Sequence, residues 1–251
     1  MANGFNSDGI GATTPNTRAS PEPVMVTACR VSARSVGPVA TFDPRVIGRT
    51  YDTVANEYAE KFGDDLAGLP FDRELLDEVA AHTGARLALD IGCGPGQAAG
   101  YLAAHGVRVA GVDLSPRALS IAARRPGVMG GLVADMRVLP VRSAACGGLV
   151  LFYSLHHQRR PELTDALREL RRVLSDDGVV LIATHEGAGE LASPTEWMGH
   201  SVDPLAATLF TEEELVGAFE AASFAVLKVS RREPLPHEHL GPRVYVVARA
   251  R

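Results

Sequence analysis

Five short apolar runs, separated mostly by segments of helical character, fill the middle of the chain and restrict it to one fold class. They are "RLALDI" (86–91), "RVAGVD" (108–113), "MGGLVA" (129–134), "GGLVLF" (147–152) and "GVVLIAT" (178–184). Strands reading as near-continuous apolar runs belong to parallel sheets covered by helices on both faces. The spacing predicts a helix over about 97–105. "SPRALSIAARR" announces another, with Ser115 placed to cap it and Pro116 at its first position. "PELTDALRELRRVLSDDG" reads as a third, with Leu163, Leu167, Leu170 and Leu174 on one face and Gly178 beyond its end. Right-handed crossovers through such helices make an α/β domain on a mostly parallel sheet.

Two more helical patterns precede the first strand, one with Val54, Tyr58 and Phe62 at four-residue spacing and one in "FDRELLDEVAAH". Beyond Thr184 the stretch 185–210 reads as irregular. "TEEELVGAFEAA" restarts a helix with Thr211 and Glu214 as a capping box. "FAVLKVSRR" and "RVYVVARAR" are strands joined closely enough to pair as a hairpin, so at least one of them runs antiparallel. Residues 1–45, rich in Gly, Ser, Thr and Pro without periodicity, read as a flexible tail before a single domain over 46–251.

Apolar residues make up 46% of the 251 residues, enough for a sizeable core, and 30 acidic against 25 basic residues leave a net charge of −5. That balance does not advertise a nucleic-acid partner. Arg124-Arg125 and Arg171-Arg172 read as solvated helix faces. Three cysteines without a CxxC suggest neither a disulfide framework nor a zinc site, and a reducing cytoplasm fits them. No run approaches the eighteen apolar residues of a membrane span.

The first strand leads into "LDIGCGPGQ". A glycine turn between a strand and a helix brings a ligand close to the backbone, as in dinucleotide sites. Here Gln97 stands where the third dinucleotide glycine belongs. Asp90, two residues before the loop, suits an ammonium or sulfonium better than a pyrophosphate. Asp113, ending the second strand, is placed to accept from a ribose diol, and Asp135, after the third, from an adenine amine. All three acids would share the carboxyl edge of one sheet.

"LALDIGCGPG", "VAGVDLSP", "VADMRVLP" and "LRELRRVLSDDGVVLIAT", in this order and at these spacings, resemble the class I S-adenosylmethionine-dependent methyltransferases, over about residues 51–249. The upstream "YDTVANEYAEKF" looks like the entry helix of the small-molecule branch. The resemblance implies a doubly wound, Rossmann-like, seven-stranded sheet with an antiparallel last strand, and S-adenosylmethionine as cofactor. It places Asp90, Gly92, Cys93, Gly94 and Gly96 around the methionine end, Asp113 on the ribose, and Leu114, Asp135 and Met136 about the adenine. Phe152 falls beside the sulfonium and Tyr51 over the methionine moiety. The fourth strand departs from the pattern: it opens on Gly147 and Gly148, where an acid often stands.

Methyl transfer needs chiefly an in-line nucleophile in a site that excludes water. For a protic acceptor a histidine is the natural base, and "YSLHHQ" sets His156 and His157 past the fourth strand. His157 is the preferred catalytic residue, since by resemblance it occupies a position where this branch often carries histidine. The acceptor pocket is expected from 46–82 and 185–210, with Tyr58, His156, His185, Glu186 and Trp197 as candidate lining. His237 and His239 lack a third ligand at metal spacing and read as loop histidines, so no metal is expected. The expected partner is a small-molecule, natural-product-like acceptor, with neither nucleic acid nor membrane, for a cytoplasmic monomer or homodimer. Nothing in the sequence selects oxygen, nitrogen or carbon as the methylated atom. Two alternatives stand beside this reading: a non-catalytic cofactor-binding regulator or scaffold, and an NAD(P)-dependent oxidoreductase resting on the glycine loop alone.

Overall fold

The computed structural model describes residues 39–236, 238 and 241–251. The expected tail up to residue 38, Cys29, His237 and His239 lie outside the described residues. Thr41 and Asp43, assigned to the tail by the sequence reading, take part in the fold. Thr41 pairs with Leu205, and the Asp43 side chain caps the first helix by accepting from the Arg45 N–H at 2.9 Å.

Helices α1 (Pro44–Phe62) and α2 (Pro70–Thr83) precede β1 (Leu87–Ile91), α3 (Gln97–Ala104), β2 (Arg108–Asp113), α4 (Pro116–Ala122) and β3 (Gly131–Val133). There follow β4 (Cys146–Phe152), α5 (Leu163–Val173), β5 (Leu174–His185), α6 (Glu212–Ala221), β6 (Phe224–Arg232) and β7 (Arg243–Ala250). The seven strands form one sheet in the order β6-β7-β5-β4-β1-β2-β3. Strand β7 inserts between β5 and β6 and runs antiparallel to both, while β3, β2, β1, β4 and β5 are parallel neighbours. The chain leaves β1 toward β2 and β3, then returns to β4 on the other side. A crevice therefore opens at the carboxyl ends of β1 and β4, where doubly wound sheets bind ligands.

Period-two alternation divides the sheet between two cores. Leu89, Ile91, Leu149, Leu151, Val180, Ile182, Val244 and Val246 pack on one face with the leucines of α5 and with Phe219 of α6. Ala88, Val150, Leu181, Ala183, Tyr245 and Val247 pack on the other with Leu75, Leu76 and Val79 of α2 and Leu102 of α3. Each large apolar side chain buried completely in these layers contributes roughly 1.5–3 kcal/mol.

Local rules account for most helix starts. The Ser115 hydroxyl accepts from the Ala118 N–H, with Pro116 at the first position of α4. Thr211 and Glu214 form the complete capping box of α6. Two expectations change. Helix α5 stops at Val173, and Leu174 is already extended, fully buried and paired with Cys146. Pairing then resumes at Gly148 with Val179, so "SDDG" is an irregularity in the strand rather than a helix end, with Asp177 at φ 64°. Strand pairing has overridden helical propensity there. The second change lies in 185–210, which is not irregular. Glu190–Ala192 pairs with Ala206–Thr208, and Glu196–Trp197 with His200–Ser201. Met198 and Gly199, both at positive φ, make the tight turn between the latter pair.

Helix α1 packs on α4 and on Leu114, the residue after β2. A Cβ on Gly48 would stand 2.8 Å from the Leu114 carbonyl oxygen, a backbone atom with little freedom to give way. Helix propensity alone predicts that Gly48→Ala stabilises by up to about 1 kcal/mol, whereas overpacking costs about 1–3 kcal/mol. We expect a net loss of stability by urea denaturation, and a gain would show that α1 does not sit on Leu114.

Candidate active site

A cavity of about 600 Å³ opens at the carboxyl ends of β1, β2 and β4, under α1. Its floor is the glycine loop. Gly92, Gly94 and Gly96 all have positive φ, at 69°, 51° and 78°. A Cβ on Gly92 would fall 2.1 Å from Cβ of Ser154, so glycine is required there both by conformation and by space. The Gly94 N–H donates to Asp113 Oδ2 and the Ser115 N–H to Asp113 Oδ1, each at 2.8 Å. Asp90 Oδ2 accepts from the Ala99 N–H at the start of α3, at 2.9 Å.

Both acids are desolvated. Burial pushes the Asp90 carboxyl up to about 7, with the neighbouring Asp113 charge adding to it, and burial also raises Asp113. A cation entering the cavity would offset that cost, and a second anion would increase it. The donor set therefore fits a ligand with ammonium and sulfonium groups, and it argues against a pyrophosphate on this loop.

Of the residues singled out in the sequence, Tyr51, Tyr58, Asp90, Gly92, Cys93, Gly94, Asp113, Leu114, Asp135, Met136, Phe152, His156, His157, His185 and Trp197 all line this cavity. Two do not. Gly96 turns the chain into α3, against Ala122. Glu186 points its carboxylate at Arg231, which also lies 3.2 Å from Glu212, so it belongs to a surface ion cluster. The Asp135 carboxylate is held by its near neighbour Arg137, which reaches on to Glu162 at 3.1 Å.

The roof is aromatic. The Trp197 ring lies edge-on to Tyr51 at 5.4 Å and to Tyr58 at 5.8 Å, and Tyr58 packs on Phe62 at 4.7 Å. Three side chains to which the sequence reading assigned no part in the site hold this roof on the floor. Asp52 accepts from the Ser115 hydroxyl and from the Arg117 N–H, tying α1 to the start of α4. Gln97 donates to the Phe62 carbonyl. Arg125 donates to the Pro95 carbonyl at 2.7 Å and to that of Gly63, joining the glycine loop to the end of α1. Arg125 is thus no solvated side chain, and Arg172 likewise donates to the Leu139 and Val141 carbonyls. An arginine pair in a helix carries no sign of such backbone targets.

The histidines form a directional network. His157 Nδ1 faces the Ala206 carbonyl at 3.2 Å, and a carbonyl only accepts, so the proton sits on Nδ1 and Nε2 carries a lone pair. The Tyr51 hydroxyl at 2.9 Å and His156 Nε2 at 3.1 Å both donate toward that lone pair. Burial lowers His157 to about 4 and His156 well below the ordinary histidine value. Both rings are neutral at pH 7, and the His157 lone pair is shared between these two donors. Among the described residues no three His, Cys, Asp or Glu side chains are grouped to hold a metal ion. Nor is any described helix long and apolar enough to cross a membrane.

Residues 89–182 match the methyltransferase domain family. Malonyl-(acyl-carrier protein) O-methyltransferase of Serratia marcescens is 32% identical over 146 residues, which are 57% of this chain and 54% of that one. The chain thus spans about half the length of this curated relative. Among solved structures, the 1,6-didemethyltoxoflavin-N1-methyltransferase of Burkholderia thailandensis, with bound 1,6-didemethyltoxoflavin and S-adenosylhomocysteine, superposes with a TM-score of 0.60 at 24% identity. That match covers 88% of this chain and 97% of the other. The 4+2 cyclase SpnF reaches 0.62 at 20% identity, over 85% and 98%. At these identities the likeness is one of fold. Residues 89–182 thus form a methyltransferase domain, and the sheet order and the acid-lined glycine loop around it agree with the class I S-adenosylmethionine-dependent methyltransferase fold.

Proposed function

We propose that this protein methylates a hydroxyl oxygen of a small, natural-product-like acceptor. The observation that carries the reading is the unprotonated Nε2 of His157 in the cavity, where an acceptor hydroxyl would replace the Tyr51 hydroxyl or His156 as its hydrogen-bond donor. Asp90 and the backbone of the glycine loop would hold the amino-acid end of the cofactor, Asp113 its ribose hydroxyls and Asp135 its adenine amine. When bound, S-adenosylmethionine supplies an electrophilic methyl on a cationic sulfur and leaves as S-adenosylhomocysteine. Tyr51, Tyr58 and Trp197, which line the cavity, would present ring faces and edges to the bound sulfonium and exclude water from it.

A carboxylate acceptor would need no base, and a hydroxyl does. His157 is a weak base, but weakness is no obstacle if proton removal accompanies bond formation. The hydroxyl becomes strongly acidic as its oxygen gains the methyl, so a neutral imidazole with a pKa near 4 suffices to take the proton. The alternative reading as an NAD(P)-dependent oxidoreductase loses support from the buried Asp90 beneath the loop. The non-catalytic reading predicts cofactor binding without turnover.

Calorimetry should show binding of S-adenosylhomocysteine to the wild type and a loss of at least about tenfold in Asp113→Ala, the scale of one hydrogen bond to a charged group. No binding by the wild type would remove the reading altogether. In assays of S-adenosylhomocysteine release over a panel of phenols and alcohols, His157→Ala should lower kcat by about 10²–10⁴ while cofactor affinity stays within twofold.

The neutral ring is the working form, so protonation removes activity. With His157 near 4, kcat should stay level from pH 8 down to about pH 5 and fall only below that. A fall centred near 6.5, the ordinary histidine value, would show that a group other than the buried His157 takes the proton.

A further inference from the structure

The cavity runs past the histidines to a polar end that methyl transfer leaves unused, lined by Asp72, Tyr153, His185, Glu238 and Arg243. Asp72, in the first turn of α2, is 1% exposed. Its Oδ1 accepts from the Tyr245 hydroxyl at 3.1 Å. Its Oδ2 accepts no hydrogen bond from the described residues, and Arg232 Nε stands 3.8 Å from it. Arg232 is otherwise engaged: both its terminal nitrogens donate to Glu238, at 2.8 and 2.9 Å, and its Nε to the Tyr245 oxygen at 3.1 Å.

The proton count fixes the direction of the remaining contact. Tyr245 has one hydroxyl proton, and it goes to Asp72. At the 3.3 Å contact between the Tyr153 and Tyr245 hydroxyls, Tyr153 must therefore donate, which leaves its own oxygen as an acceptor. Tyr153 holds this position at a φ of 55°, a left-handed conformation unusual for a bulky residue. The His185 ring lies 5.2 Å from that of Tyr153, and its Nδ1 also has no hydrogen-bond partner among the described residues. The end of the cavity thus offers lone pairs from Asp72 and Tyr153.

We propose that this end is a recognition subsite for a hydrogen-bond donor, a hydroxyl, amide N–H or amine, carried by the methyl acceptor away from its methylated atom, with Asp72 as the principal receiving group. The inference rests on the methyltransferase reading above, whose acceptor it narrows. A donor reaching Asp72 relieves a buried carboxylate oxygen of its missing bond, and an alkyl group of the same size leaves that penalty in place. Sites built to hydrogen-bond a ligand reject isosteres lacking the group far more strongly than apolar pockets reject a methylene.

The test is calorimetry on protein loaded with S-adenosylhomocysteine, using 4-hydroxybenzyl alcohol and 4-ethylphenol, which differ only by a hydroxyl in place of a methyl. The wild type should bind the alcohol at least tenfold more tightly. In Asp72→Asn and in Tyr153→Phe, both checked by thermal melting, the gap should shrink to about threefold or less while affinity for 4-ethylphenol and for S-adenosylhomocysteine holds within twofold. A purely structural role for the Asp72 ion cluster would weaken both probes together and leave the gap intact. Equal affinities in the wild type, a gap that survives in both variants, or no binding of either probe overturns the proposal. Failure to bind S-adenosylhomocysteine at all is a separate result and strikes the methyltransferase reading itself.

Discussion

Two carboxyl groups taken out of water, at the ends of neighbouring parallel strands, are the constraint around which this site is arranged. Asp90 and Asp113 are brought together because β1 and β2 pair in register, with Asp90 beside Gly111 and Ile91 beside Val112. The pairing leaves Asp113 one step beyond β1, under the turn that Gly92 begins. Its oxygens take the Gly94 and Ser115 N–H groups, so one carboxylate fixes the loop and the start of α4 at once. Neutral substitutes would hold the backbone less firmly and would lose the attraction for a cation. At Gly92 the loop passes within contact of Ser154, where only a glycine at positive φ fits.

The roof depends on that floor. Asp52 of α1 joins the cap of α4, the helix whose first residues Asp113 already positions, and Arg125, three residues past the end of α4, reaches both Pro95 and Gly63. Tyr51 and Tyr58 are carried by the helix so fixed, and Trp197 closes on them from a hairpin contributed by the other half of the chain. Loop, cap and lid share hydrogen bonds, so a disturbance at any one is felt where the aromatic rings meet the cavity.

How much of this was legible in the sequence depended on how local its cause was. The caps at Ser115 and Thr211, the glycine loop and the strand–helix alternation are written within a few residues of one another and appear in the structure as read. The hairpin carrying Trp197 was missed because its strands are two residues long and its turn uses Met198 where Asn or Asp would have signalled it. The end of α5 was misplaced because Leu174 suits helix and strand equally, and only Cys146, 28 positions earlier, decides between them. Arg125 looked like solvated charge because its partners are backbone carbonyls 30 and 62 positions away. Glu186 looked like a pocket residue for the converse reason: its neighbour His185 is one, and the partner that turns it outward lies on β6.

The switch in strand order also divides the labour within the cavity. Acids from the ends of β1, β2 and beyond β3 stand on one side, and Phe152, Tyr153, His156, His157 and His185 from the ends of β4 and β5 stand on the other. The first side is dictated by the loop and sheet, and a chain that keeps the fold can hardly vary it. The second side is free of that obligation, because β4 and β5 need only their buried alternation to pair, and the residues after Phe152 and Ala183 lie beyond the ladder these two strands share. The cyclase of similar fold makes the same point, since one architecture there carries a chemistry of another name. On the proposed reading, acceptor selectivity belongs to the β4–β5 side together with Asp72 of α2, where Tyr153 departs from ordinary backbone geometry with its hydroxyl anchored on Tyr245. A strained residue persists when its surroundings over-determine it, and the bonds through Tyr245 to Asp72 and Arg232 are what determine Tyr153.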